Sequence, residues 1–109
     1  MRSTVTDALQ KLAGSDGALF IKLMEHSSMS VEIYRPAKTD HQTPHLQDEL
    51  YVIISGKGEF LNNGERSAFG TGDVLFVPAG IEHRFENFTE DFATRVIFYG
   101  PNGGENTTL

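Results

Sequence analysis

The sequence predicts an all-β protein, an antiparallel sandwich or barrel, with one short helix near its start. Three observations lead there. From Ala18 onward about eight or nine short apolar runs follow one another at close, regular spacing, a pattern that includes jelly-roll topologies. The joints between them are turn sequences such as Ser55–Gly56–Lys57–Gly58, Asn62–Asn63–Gly64 and Pro78–Ala79–Gly80, where glycine and asparagine supply tight backbone. Before Ala18 the apolar period is that of a helix.

The chain has 109 residues, the size of one domain, large enough to bury a core without covalent staples. No internal repeat or linker divides it. Residues 3–13 read as the helix. Thr4 or Thr6 can cap it, Asp7 suits its first turn and Gly14 its end. Val5, Ala8, Leu9 and Leu12 form one apolar stripe. Strands are expected over 18–26 and 29–35, joined at Ser27–Ser28. In the second, Met29, Val31 and Ile33 alternate with Ser30 and Glu32, giving one buried and one wet face. A loop with Pro36 and Pro44 follows. Strands are then expected over 49–54, 59–61, 66–69, 74–77, 81–88 and 92–99. The division expected is helix and turn over 1–17, barrel over 18–100 and a flexible tail over 101–109.

The composition excludes several chemistries. There is no cysteine, so disulfides, thiolate zinc sites, iron–sulfur clusters and cysteine nucleophiles are out. The net charge is −6 and no basic stripe is present, so nucleic acid is not an expected partner. No apolar run is long enough for a membrane helix. The opening residues lack the apolar core of a signal peptide, so a cytoplasmic location is expected.

Two stretches carry the chemistry. Residues 40–56 hold His45 and Glu49 at the edge of an apolar strand; residues 72–87 hold His83 at the edge of another. Brought together, His45, Glu49 and His83 would offer two imidazoles and a carboxylate to a divalent transition metal. Strand parity places His83, Phe85 and Asn87 on one face, opposite Arg84 and Glu86. Glu49, Tyr51 and Ile53 share a face too. A glutamate leading such an apolar face needs a cation or hydrogen-bond donors.

The second stretch runs Gly72, five residues, Pro78, one residue, Gly80, two residues, His83, three residues, Asn87. This spacing resembles the second motif of the cupin superfamily at every fixed position. In the first stretch His45, Glu49 and Gly56 resemble the first cupin motif. Thr43 stands where that motif has the first of two histidines, and the preceding glycine is absent. The resemblance spans about residues 18–99. It implies a double-stranded β-helix, the jelly-roll cupin barrel, with a metal inside one end. It also implies that His45, Glu49 and His83 are three of four ligands. His41 or Gln42 could supply the fourth; alone, His41 reads as an exposed loop residue, as His26 does at its turn.

Fe2+ or Mn2+ is favoured as the metal, with Zn2+, Ni2+, Co2+ and Cu2+ compatible with the same donors. Two histidines and one carboxylate with open positions point to a dioxygenase-type oxidoreductase acting on a small organic molecule. An isomerase, epimerase or lyase of a sugar or polyketide-like compound is the alternative, with the metal as Lewis acid. A non-enzymatic small-molecule binding module is the third reading. Phe20, Tyr34, Tyr51, Phe76, Phe85 and Phe98 are candidates to line the pocket. Arg35 and Arg95 are candidates to hold an anionic substrate. In Leu50–Ile54 and in Val74–Val77 both strand faces are apolar, so a second copy of the chain is expected to cover the outer one, as a homodimer.

Overall fold

Thr4 caps the first helix: its hydroxyl accepts from the Asp7 N–H at 3.1 Å, and α1 (Val5–Ala13) follows. The computed structural model describes residues 1–105; residues 106–109 of the expected tail lie outside the described residues. Eight strands come next: β1 (Phe20–His26), β2 (Met29–Tyr34), β3 (Asp48–Ser55), β4 (Gly58–Asn62), β5 (Glu65–Phe69), β6 (Val74–Val77), β7 (His83–Glu86) and β8 (Ala93–Tyr99). They form a five-stranded sheet, β1-β2-β8-β3-β6, and a three-stranded sheet, β5-β4-β7. Every pairing is antiparallel. This is the jelly-roll arrangement the sequence predicts.

The core lies between the sheets. Tyr51, Ile53, Phe60, Phe69, Val77, Phe85, Phe92 and Val96 are buried together. Register sets which residues enter. Glu49, Tyr51 and Ile53 face inward from β3, and their partners on β8 are Phe98, Val96 and Thr94. Gly56 closes the β3–β4 turn at φ 87°; a Cβ there would lie 2.7 Å from the Phe92 Cα, so only glycine fits.

The structure changes several expectations on the five-stranded sheet. The apolar face of β2 does not face the barrel interior. Ile33 packs with Ala8 and Leu12 of α1, alongside Leu9, Ile21 and Leu23, so the helix covers the outside. The face read as wet, with Ser30 and Glu32, lines the interior cavity instead. Arg95 also points outward: its guanidinium donates to the Ser3 carbonyl at 3.0 Å. Arg35 donates to the Glu90 carbonyl at 3.1 Å. Neither arginine lines the cavity.

Two side chains assigned to the interior lie elsewhere. Phe76 is paired with Leu50, one step from the inward pair of Glu49 and Val77, and is 45% exposed on the outer face beside Val74 at 61%. Asn87 leaves the strand at φ 50° and donates to Glu59 Oε1 at 2.8 Å, so the shared face of β7 ends at Phe85. At the other end of the chain, the Gly103 N–H donates to the Leu46 carbonyl at 2.7 Å. The Glu105 N–H donates to Asp48 Oδ2 at 2.9 Å.

Candidate metal centre

Three separate segments build the site. Glu49 stands at the start of β3 and is 1% exposed. His83 opens β7 on the other sheet and is also buried. His45 comes from the loop before β3. The Gly80 N–H donates to the His45 carbonyl at 2.8 Å, which ties the turn before His83 to that loop. Gly80 takes φ 80° to do so, a left-handed conformation that glycine adopts without strain.

The structure brings all three sequence-predicted residues together. One ligand atom from each of His45, Glu49 and His83 lies within 4.8 Å of the others. His83 Nε2 is 2.9 Å from Glu49 Oε1, and His45 Nε2 is 3.9 Å from the same oxygen. The imidazole rings are 5.2 Å apart.

The proton inventory shows what the cluster lacks. His83 Nδ1 is 2.8 Å from the Ile81 carbonyl. A carbonyl only accepts, so Nδ1 carries the hydrogen, and in the neutral ring Nε2 presents a lone pair. It presents that lone pair to Glu49, whose two oxygens have no hydrogen-bond partner among the described residues. The 2.9 Å approach is therefore a hydrogen bond only when His83 is doubly protonated. Burial works against that cation, but Glu49 and the Ile81 carbonyl outweigh it, and the His83 pKa is raised. His45 moves the other way. Burial lowers its pKa; Glu49 and Asp40 oppose this and His83 adds to it. His45 is thus neutral at pH 7, as a ligand must be.

Gln42 completes the cluster and His41 does not. His41 is exposed at the cavity rim. Gln42 Oε1 sits 3.1 Å from His45 Nε2, 3.2 Å from His83 Nε2 and 2.9 Å from the Tyr51 hydroxyl. Burial, then Glu49 and Asp40, hold the Tyr51 pKa well above its ordinary value, so that hydroxyl stays a donor. Behind Gln42 lies Asp40, a buried residue that the sequence reading did not single out. The available signal was local: an aspartate that accepts the N–H two residues on makes an Asx turn, as Asp40 does with Gln42.

The cluster borders a cavity of about 730 Å³, which Gln42 and His45 line and Glu49 and His83 do not. Gln42, His45, Tyr51 and Phe98 reach it from the site, and Phe20, Lys22, Ser30, Glu32 and Tyr34 from β1 and β2. Phe85, expected in this lining, belongs to the core below.

The family model for the cupin domain (Cupin 2) matches residues 30–99. This chain belongs to the cupin family. An uncharacterised protein of Streptomyces coelicolor is 36% identical to it over 91 residues, which cover 82% of this cupin and 86% of the relative. The mannose-6-phosphate isomerase of Cryptococcus neoformans is 39% identical over 64 residues; these make up 59% of this chain and 14% of that enzyme. In three dimensions the cupin resembles a Cupin 2 conserved barrel domain protein from Salinispora arenicola. The TM-score is 0.60 at 22% identity, over 74% of each chain.

Proposed function

We propose that this cupin binds a divalent transition-metal ion through His45, Glu49 and His83 and acts with it on a small organic molecule in the adjoining cavity. The convergence of lone pairs supports this reading. With His83 neutral, His83 Nε2, Glu49 Oε1 and Gln42 Oε1 turn lone pairs on one another, and a buried carboxylate without a positive partner is unfavourable; a proton on His83 relieves this in part, and a metal ion bound by all three would relieve it fully. When bound, such an ion supplies a Lewis acid at the cavity wall. Fe2+ and Mn2+ suit a donor set with carboxylate oxygen.

The reaction class the cavity favours is metal-assisted proton transfer, as in an isomerase, epimerase or lyase. Glu32 supports it. This carboxylate faces the cavity from β2 with Lys22 as its register partner on β1. Its pKa is raised by burial, against the effect of Lys22 and with the help of Glu49. A carboxylate moved toward neutral pH is a better general base. From that position it would take a proton from a carbon of a molecule bound in the cavity. The similarity to a segment of an isomerase is consistent with this. The dioxygenase reading is the second one, supported by the two-histidine, one-carboxylate set itself.

Elemental analysis of protein purified without an affinity tag is the first test, with a stoichiometric ion expected. Turnover of sugars or hydroxyketones without oxygen, using Mn2+, supports proton transfer. Oxygen uptake that requires Fe2+ supports the dioxygenase. If no ion binds even after anaerobic reconstitution with Fe2+, the metal reading fails and the cavity is that of a binding module. Glu32→Gln should keep the metal and lose turnover. The sign on stability follows from the raised pKa: Glu32's contribution is full below about pH 4.5 and is lost as pH rises through the folded-state value. Glu32→Gln should therefore raise Tm at neutral pH and leave it unchanged near pH 4.

A homodimer is also proposed. Val74 and Phe76 stay exposed on the outer face of β6, an edge strand, and α1 covers the other end of that sheet. A second copy of the chain would bury them. Light scattering over a concentration series should show a dimer that Phe76→Glu dissociates; a monomer throughout sinks the idea.

A further inference from the structure

We infer that Gln42 is a fourth metal ligand and that Asp40 is the positioning residue that turns its amide oxygen toward the ion. The inference rests on the metal site proposed above and extends it to a position the family motif does not use. Thr43, at the motif's histidine position, is exposed. The residue before it reaches in instead.

Its orientation is fixed by its neighbours. The Gln42 Nε2 donates to Asp40 Oδ2 at 2.6 Å. On the other side the Tyr51 hydroxyl donates to Gln42 Oε1. Exchanging the amide oxygen and nitrogen would set the amide oxygen against the Asp40 carboxylate, two acceptors face to face. Hence Oε1 points between the two histidines, where it meets Nε2 of both.

Asp40 is held on every side. It is 5% exposed and accepts from the Tyr34 hydroxyl at 2.6 Å, the Gln42 N–H at 3.2 Å and the Phe85 N–H at 2.8 Å, besides the amide. Burial, then Asp40, raise the Tyr34 pKa, so its hydroxyl remains a donor. Phe85 lies on the free edge of β7, two residues after His83. The same carboxylate therefore pins the loop to the strand that carries a proposed ligand. Partners of this kind orient ligands, and losing one costs about 10–100-fold in metal affinity.

The chemistry of the set changes as well. Two imidazoles, a carboxylate and an amide give two nitrogen and two oxygen donors. Relative to a third imidazole, the amide oxygen shifts preference toward Mn2+ and Fe2+ and away from Zn2+ and Cu2+.

The test is competition titration of the full chain with Mn2+ and with Zn2+. Gln42→Ala and Asp40→Asn should each weaken Mn2+ about 10–100-fold. Asp40 Oδ1 accepts from Tyr34 and the Gln42 N–H, and Oδ2 from the Gln42 amide and the Phe85 N–H, so the NH2 of an asparagine must face one of these N–H donors and loosens the hold on Gln42 or on its loop. Gln42→His should raise the affinity for Zn2+ relative to Mn2+ by roughly tenfold or more, a change of selectivity that loss of structure alone does not produce. Circular dichroism of the metal-free proteins checks folding. If Asp40→Asn does not fold, Gln42→Ala decides, since it leaves Asp40 bonded to Tyr34 and Phe85. Wild-type Mn2+ and Zn2+ affinities in Gln42→Ala, alongside loss of binding in His83→Ala, would overturn the role of Gln42 and spare the three-residue site. Absence of Mn2+ and Zn2+ binding in the wild type would overturn both.

Discussion

His83→Ala should abolish the thermal stabilisation that Mn2+ gives this cupin. With the ion at about 100 times its dissociation constant, the wild type gains roughly 2.7 kcal/mol. In a domain of this size that raises Tm by about 10 °C or more. A ligand from the buried sheet-to-sheet position is not replaceable by its neighbours. His45 enters from a loop, and Glu49 Oε1 is 3.9 Å from its Nε2. The variant should therefore lose at least about 100-fold in affinity, roughly 2.7 kcal/mol, and its Tm should be flat across the same titration. An unchanged metal-dependent shift would exclude His83 as a ligand.

Metal-free stability separates this role from a structural one. Removing His83 leaves Glu49 buried without its imidazolium, the kind of loss that costs about 3–5 kcal/mol. Glu49→Gln removes the charge itself, so the metal-free variant should be as stable as the wild type or more so, yet show no shift with Mn2+. A purely structural His83–Glu49 pair would make both variants unstable. A ligand pair makes both metal-blind but destabilises only one. The fold thus holds together a group of atoms that needs a positive charge among them, a proton on His83 or a metal ion, to keep their lone pairs from opposing one another. Such a demand inside an otherwise consistent β-barrel is where function is expected to override stability.

How much of this was legible depended on how local each determinant is. His45, Glu49 and His83 could be read because fixed spacing sets them at strand edges and a period of two sets their faces. The same period was ambiguous for β2. Alternation tells that Val31 and Ile33 share a face, but a face can be buried under a helix as well as inside a barrel. The stripe on α1 covers Ile33, which leaves Glu32 to the cavity. The place of Phe76 is hidden because apolar residues on both faces of β6 conceal the parity that its pairing with β3 reveals. The role of Asp40, and the choice between His41 and Gln42, were beyond reach for a different reason. Their loop carries Pro44 and no periodicity, and the bond that places it reaches 45 residues along the chain to the Phe85 N–H.

Phe85→Ala should cost about 3–5 kcal/mol of stability. The ring stands between the two sheets. Its centroid is 4.9 Å from that of Tyr51, 4.7 Å from Phe60, 5.3 Å from Phe69 and 4.7 Å from Phe92. Deleting it takes contacts from four aromatic neighbours at once, and rings that also pack on each other cannot all collapse inward. With total stabilities of about 5–15 kcal/mol for such domains, the variant should sit near the threshold of folding, with a urea midpoint far below the wild type. The Phe85 N–H survives the substitution, so Asp40 keeps its acceptor role. At temperatures where the variant is folded, its Mn2+ affinity should stay within about tenfold of wild type, less than the loss expected at a ligand. Phe76→Ala on the outer face gives the contrast: in the monomer it should change stability by no more than about 0.5 kcal/mol. A loss below about 1 kcal/mol for Phe85→Ala would mean that the aromatic cluster does not join the sheets.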